Sequence, residues 1–258
     1  MKRIQLLLLA LLLALCSAPS LLRAQRPKGA AEKAFPQYTW VSIDQDWIGC
    51  RLGYDKSAFT LVNKATWQLS EADPFYARED QGNYVYLGWF KTSAGATRYL
   101  LYSPGMSEDP FFEIRDEGQS VIWQSECCYE LCLNPAGTIY TAGHANQNFE
   151  ARRVYKIRGS RIEEVPQPFL YVGLKGKLRQ GIKLYSRPFN TGEVVATCPK
   201  GYEVEFLLCR EEQDEYGSTV QNSILVRSKF GLVGWVTLTQ EQVYPPNVLL
   251  EGFGYWGD

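Results

Sequence analysis

Short runs of β-branched and aromatic residues, each closed by a turn signal, recur along this chain from Tyr38 to Val236, and that punctuation limits what it can fold into. Tyr38-Thr39-Trp40-Val41-Ser42-Ile43 alternates as a half-buried strand does and runs into the turn-rich Asp44-Gln45-Asp46. Further strand candidates lie at residues 59–62, 84–90, 97–102, 111–114 and 120–123, the last two separated by the hairpin signal Asp116-Glu117-Gly118. Residues 129–133 and 138–141 flank Asn134-Pro135-Ala136-Gly137, with Pro and Gly where a type I turn prefers them. Residues 153–157 and 161–165 are joined through Gly159-Ser160. No segment sustains a 3.6-residue apolar period, so helices are few and the fold class is all-β. No fixed-length repeat supports a propeller. Residues 37–170 therefore predict an antiparallel β-sandwich or an irregular barrel.

Ahead of these strands, Lys2-Arg3 and the apolar run over 6–16 read as a secretory signal peptide, the run being too short for a bilayer's roughly 20 residues. Leu22-Arg23-Ala24 places the cut after Ala24, making residues 1–24 the signal peptide and 25–36 a disordered leader, small, charged and Pro-containing. Cys16 keeps an alternative open, a lipid-anchored N-terminus, although Leu15 stands where a small residue is usual. The chain is expected to be exported, to the periplasm, the cell surface or beyond. No later apolar stretch approaches the roughly 18 residues of a spanning helix, so the mature chain carries no expected transmembrane segment. Cleavage removes Lys2, Arg3 and Arg23 and takes the net charge from −1 to about −4. With no Lys/Arg run and no basic stripe among aromatics, nucleic acid is not an expected partner.

Removal of Cys16 leaves Cys50, Cys127, Cys128, Cys132, Cys198 and Cys209, an even set that an oxidising compartment allows to form disulfides. Adjacent Cys127 and Cys128 point to opposite faces of a strand, so one of them at most faces the same partner as Cys132, and Cys50 is the distant candidate. Paired Cys-x-x-Cys knuckles are absent, and no metal or other cofactor is expected.

Pro166-Gln167-Pro168 ends the first region, and the glycines at 173, 176 and 181 mark residues 171–181 as a linker. Beyond it, Ser186 and Pro188, the strand candidate Glu193-Val194-Val195-Ala196, the turn Pro199-Lys200-Gly201, residues 202–207 and the closing Gly231-Leu232-Val233-Gly234-Trp235-Val236 form a recognisable series. On these residues the segment from 182 to about 238, within a domain set at 182–240, resembles the bacterial extracellular SH3-like (SH3b) domain family. Tyr185, Arg187 and Ser223 depart from the family pattern, which often has Arg, Gly and Trp there. The resemblance implies a small C-terminal SH3-like β-barrel and a non-catalytic binding role toward peptidoglycan, a peptide or another envelope protein. Tyr185, Tyr202 and Trp235 are the candidate ligand-binding residues, with core packing as the competing role of Trp235. Residues 210–215, the most acidic stretch, read as a solvated hairpin loop, and the aromatic tail 241–258 as a segment docking on this chain or on another.

Enzymatic chemistry finds little purchase. The one histidine, His144, lies in a Gly-containing loop, and no cysteine has the Asp-Cys-x-Gly context of cell-wall peptidases, so no catalytic residue is assigned. A carboxylate-dependent hydrolase of glycans or peptides is the alternative, and neither Asp44/Asp46 nor Glu163/Glu164 has a context that singles it out. A surface assembly or inhibitor component acting through the aromatic tail is the third reading.

Overall fold

The computed structural model describes residues 30–43, 49–62, 84–105, 109–134, 136–144, 148–213, 219–244 and 246–254. The signal peptide, Cys16, Asp44 and Asp46 lie outside the described residues. The fold is all-β, in three sheets, with strands numbered along the chain.

The first sheet has the order β1 (Thr39–Ile43), β2 (Cys50–Tyr54), β8 (Glu130–Asn134), β9 (Thr138–Gly143), β10 (Ala151–Arg158), β11 (Arg161–Glu164). The second runs β3 (Phe59–Leu61), β4 (Val85–Lys91), β5 (Thr97–Ser103), β6 (Phe111–Arg115), β7 (Val121–Gln124) as an antiparallel meander. Inward residues of both, among them Leu52, Leu131 and Ile139 from the first and Leu100, Phe112 and Ile114 from the second, share one core. Each such side chain contributes about 1.5–3 kcal/mol by leaving water. This is sandwich packing. The first sheet is not wholly antiparallel, because the entire second sheet is inserted between β2 and β8, which pair in parallel with Arg51 opposite Glu130. A parallel pair needs such a crossover, whereas a hairpin turn cannot make one.

The third sheet contains the C-terminal residues, in the order β12 (Leu170–Lys177), β15 (Glu203–Gln213), β16 (Thr219–Ser228), β17 (Val233–Thr237), β13 (Ile182–Arg187), β14 (Thr191–Cys198). It is an open sheet and not the closed barrel expected: β12 and β14 are its two edges, and none of the three sheets closes. The stretch 171–181 is not a linker either. Leu170, Val172 and Leu178 are buried in the C-terminal core, and β12 pairs with β15. The glycines that read as linker punctuation serve strand geometry. At Gly173 φ is +64°, and an added Cβ would lie 2.5 Å from the ring of Tyr171, which folds back over it.

The leader differs from expectation over one short piece, and the C-terminal tail takes the docking on this chain that is one of its two expected roles. Within the leader, Ala30–Ala34 forms helix α1, its Glu32 bonded at 2.5 Å to Arg51, while the Trp40 indole N–H donates to the Phe35 carbonyl. At the other end α2 (Gln240–Val243) begins at Thr239 with a capping box, and the tail beyond it completes the third sheet's core. Leu249 and Leu250 are fully buried, Leu250 bridges to Leu178, and Phe253 meets Phe206 edge to face at 5.3 Å. Phe149 and Ala151 join this same core, so the chain before β12 is built into it.

Candidate functional site

Strand alternation gives the third sheet two faces. One carries the core row Leu170, Cys209, Ile224, Val236. The other carries a row that crosses all six strands: Tyr171 lies opposite Leu208, Leu208 opposite Leu225, Leu225 opposite Trp235, Trp235 opposite Tyr185, and Tyr185 opposite Val194. Directly paired residues share a face. Five strand spacings make the row roughly 24 Å long at about 4.8 Å each. Its ends are exposed, Tyr171 at 54 % and Val194 at 49 %, and its middle is half-buried. Phe169 enters from the segment before β12 and lays its ring 5.8 Å from that of Trp235, and the Arg152 guanidinium sits 5.7 Å from the Tyr171 ring.

Two of the three candidate binding residues, Tyr185 and Trp235, are therefore direct cross-strand neighbours on this face. Close approach of their strands requires Gly234, since a Cβ there would lie 2.9 Å from Leu184 Cβ and 3.0 Å from the Tyr185 carbonyl oxygen. Tyr202 is elsewhere. It stands in the turn between β14 and β15, where its N–H donates to Pro199 O, and packs against the C-terminal core. Sequence reasoning missed Tyr171 and Phe169 because it placed them in or beside a linker.

The departure at Ser223 also has a structural reason. Ser223 is fully buried, and its hydroxyl accepts the Phe189 N–H at 3.1 Å and lies 3.3 Å from Thr237 Oγ1, while Asn190 Oδ1 accepts the Thr237 N–H at 3.0 Å. The β13–β14 turn thus lies over Ser223. Phe189 and Asn190 both have left-handed backbones, φ +59° and +53°. Above the turn, Arg210 sits 5.5 Å from the Phe189 ring.

A polar cluster lies where β10 meets β15. Arg153 donates to Glu164 at 3.0 Å and to Glu211 at 3.3 Å, and its Nε stands 3.8 Å from Glu126 without a hydrogen bond. Surrounding protein raises the Glu126 pKa, Arg153 opposes that shift, and the like charges of Glu164 and Glu211 add to it. Glu211 is accordingly not part of a solvated loop: β15 continues to Gln213, and Glu211 is side-chain buried to all but 10 %. Ser125, Cys127, Thr141 and Tyr155 line the same cleft.

Cys127, Tyr129, Asp109 and His144 also converge, a grouping with no signature in the sequence. The Cys127 thiol is hydrogen-bonded by the Tyr129 side chain, the His144 backbone and the Asp109 side chain, while the imidazole stands edge-on to the Tyr129 ring at 5.6 Å. Burial pushes the Cys127 thiol up to about 11, the opposite of what activates a nucleophile. Burial likewise raises Cys128, Cys132, Cys198 and Cys209. None of the six disulfide candidates is in a disulfide in this structure. Cys198 and Cys209 lie on strands that are not sheet neighbours, Cys128 bonds to the Glu130 carbonyl, and the Cys50 thiol faces the Cys128 carbonyl at 3.9 Å. Among the described residues no group of three or more His, Cys, Asp or Glu side chains is placed to hold a metal ion.

Comparison with protein-family models finds no match, and neither does comparison with curated proteins or with solved structures.

Proposed function

We propose that this is an exported protein of a bacterial envelope whose C-terminal, SH3-like region binds a cell-wall, peptide or protein ligand on the outward face of the third sheet, without catalysing its conversion. The observation that carries the reading is the uninterrupted row from Tyr171 to Val194, which presents rings and aliphatic groups to solvent across six strands. Tyr and Trp combine large apolar faces with polar tips, which suits ligands that are themselves amphipathic. Export is supported by Lys2-Arg3, the apolar run that follows and Ala24. Retention of the purified protein on cell-wall sacculi at moderate salt tests the wall-binding form. Retention lost in Tyr171→Ala and Trp235→Phe supports it, and an unretained wild-type protein rejects it.

A second reading, a carboxylate-dependent hydrolase, draws on one arrangement: Glu126, its side chain 62 % exposed, stands 3.8 Å from Arg153 beside two carboxylates bonded to that arginine, and its pKa is raised. Acid–base pairs in hydrolases separate their carboxylates in this way. Turnover of glycan or peptide substrates that disappears in Glu126→Gln would establish it, and no turnover across the panel would reject it.

A further inference from the structure

The geometry points to a linear glycan bearing carboxylate groups as the ligand of the outward face, its sugar rings lying along the row and one carboxylate meeting Arg210. This rests on the binding reading above and specifies its chemistry.

The row lies on the face of a sheet and not along its edge. An extended peptide docks most readily at an edge, where it continues the hydrogen-bond ladder. A face offers side chains alone, so what it recognises is the ligand's planes and charges. Tyr171, Phe169, Trp235 and Tyr185 provide the flat apolar faces, and their disposition in a line suits a polymer of rings over a compact molecule.

The charges on either side of the row then choose the sign. On one flank Lys175, Glu205, Arg227 and Val233 form a parallel row, with Lys183 two residues from Tyr185. Glu205 is the carboxylate there, and both Lys175, at 3.9 Å, and Arg227 pair with it. On the other flank Arg210 lies opposite Ser223, one outward-facing step, roughly 7 Å, from Leu208. Its contact is with an aromatic ring, and among the described residues no carboxylate pairs with it. Beside the row the cations Lys175, Lys183, Arg210 and Arg227 thus stand against the carboxylates Glu205 and Glu212, of which Glu212 lies two residues beyond Arg210 on β15, on a chain whose net charge is −1.

Arg210 is also held ready. The ring beneath it belongs to Phe189, whose φ of +59° is one that a bulky residue rarely adopts. The bond from Phe189 N–H to the buried Ser223 hydroxyl maintains that conformation. With Asn190 at φ +53° and the Thr191 N–H bonded to the Pro188 carbonyl, Phe189 is half of the two-residue turn that joins β13 to β14. Stacking on the ring leaves the planar edge of the guanidinium to form the paired N–H bonds that match a carboxylate.

Titration calorimetry of the purified protein against four probes tests this: an oligogalacturonate, its methyl ester, a neutral linear β-glucan oligomer and polyglutamate. The acid form should bind, more weakly as salt rises, and at least about tenfold more tightly than the ester, the strength of a charge-assisted bond. Arg210→Gln should erase the difference between acid and ester, whereas Tyr171→Ala should weaken both alike. Circular dichroism and melting temperature establish that each variant is folded. Equal affinity for acid and ester overturns the carboxylate recognition but leaves the aromatic row as the binding site. Polyglutamate binding at least as tightly as oligogalacturonate makes the ligand an acidic polypeptide and overturns the glycan. Sacculi retained with no probe bound also defeat this inference alone, and no binding to probes or sacculi removes the binding reading with it.

Discussion

The outer faces of the second and third sheets begin from similar material and end in opposite states. Across the second sheet, register sets Thr60, Trp89, Tyr99 and Arg115 in one outward row and Tyr86, Leu101, Glu113 and Gln124 in the next. Leu101 is fully buried there and Tyr86 nearly so, and Glu113 and Arg115 form an ion pair with side chains only 3 % and 2 % exposed. Tyr84 donates to Glu113 at 3.0 Å and carries the Arg115 guanidinium 5.3 Å from its ring. Among the described residues the third sheet's row is covered only in part, by Phe169 on Trp235 and Arg152 on Tyr171, and its ends stay exposed. Buried charges must be matched where they lie, since desolvating them costs several kcal/mol each, about what their attraction returns. The second sheet's outer face therefore keeps its charges inside and paired, whereas the third sheet's leaves rings exposed beside cations.

That contrast breaks most readily at the closed face. Glu113→Ala leaves the Arg115 charge buried without this partner and should cost about 3–5 kcal/mol in urea unfolding. Replacing both, as Glu113→Leu with Arg115→Met, should return most of it. On the open sheet Gly234→Val pushes Leu184 and the Tyr185 backbone away and should cost about 1–3 kcal/mol by the same measurement.

Alkaline pH sharpens the comparison. Burial, and then the charge of Glu113, push Tyr84 up to about 12 from its ordinary 10.0. The unfolded chain then loses this proton first, so stability falls as pH rises from 10.0 toward about 12, and Tyr84→Phe should flatten that decline in unfolding titrations. Smallest in stability is Tyr171→Ala on the open face, within about 0.5 kcal/mol, although retention on sacculi should drop severalfold.

Local signals in the sequence were read correctly where the physics is local. Gly137 has φ +82° and donates to the Asn134 carbonyl, as the turn signal between those strands requires. Gly231, at φ +96°, closes the β16–β17 hairpin on Ser228. Tyr185 and Trp235 were singled out, and they meet. What stayed illegible depends on partners distant in sequence. Arg153 and Glu211 are 58 residues apart, and neither has a local pattern that joins them. The row itself was hidden by irregularities between Tyr171 and Leu174, between Phe206 and Leu208, and between Leu184 and Tyr185, each of which resets the two-residue alternation that sequence reading relies on. Tyr171 illustrates the loss: its neighbour Gly173 suggested a linker, yet that glycine is there to make room for the Tyr171 ring.

The burial of Leu249, Leu250 and Phe253 sets a timetable for biosynthesis. Strand β12 and the segment that packs on it are separated by some 70 residues of chain, so the core they share stays open until synthesis has passed Phe253. The N-terminal sandwich has all its strands by Glu164 and can assemble earlier, in the order common for growing chains. A nascent chain can therefore pair all six strands of the third sheet once Thr237 is made and still expose their core face until Phe253 emerges, which is the interval in which a holding chaperone would matter most.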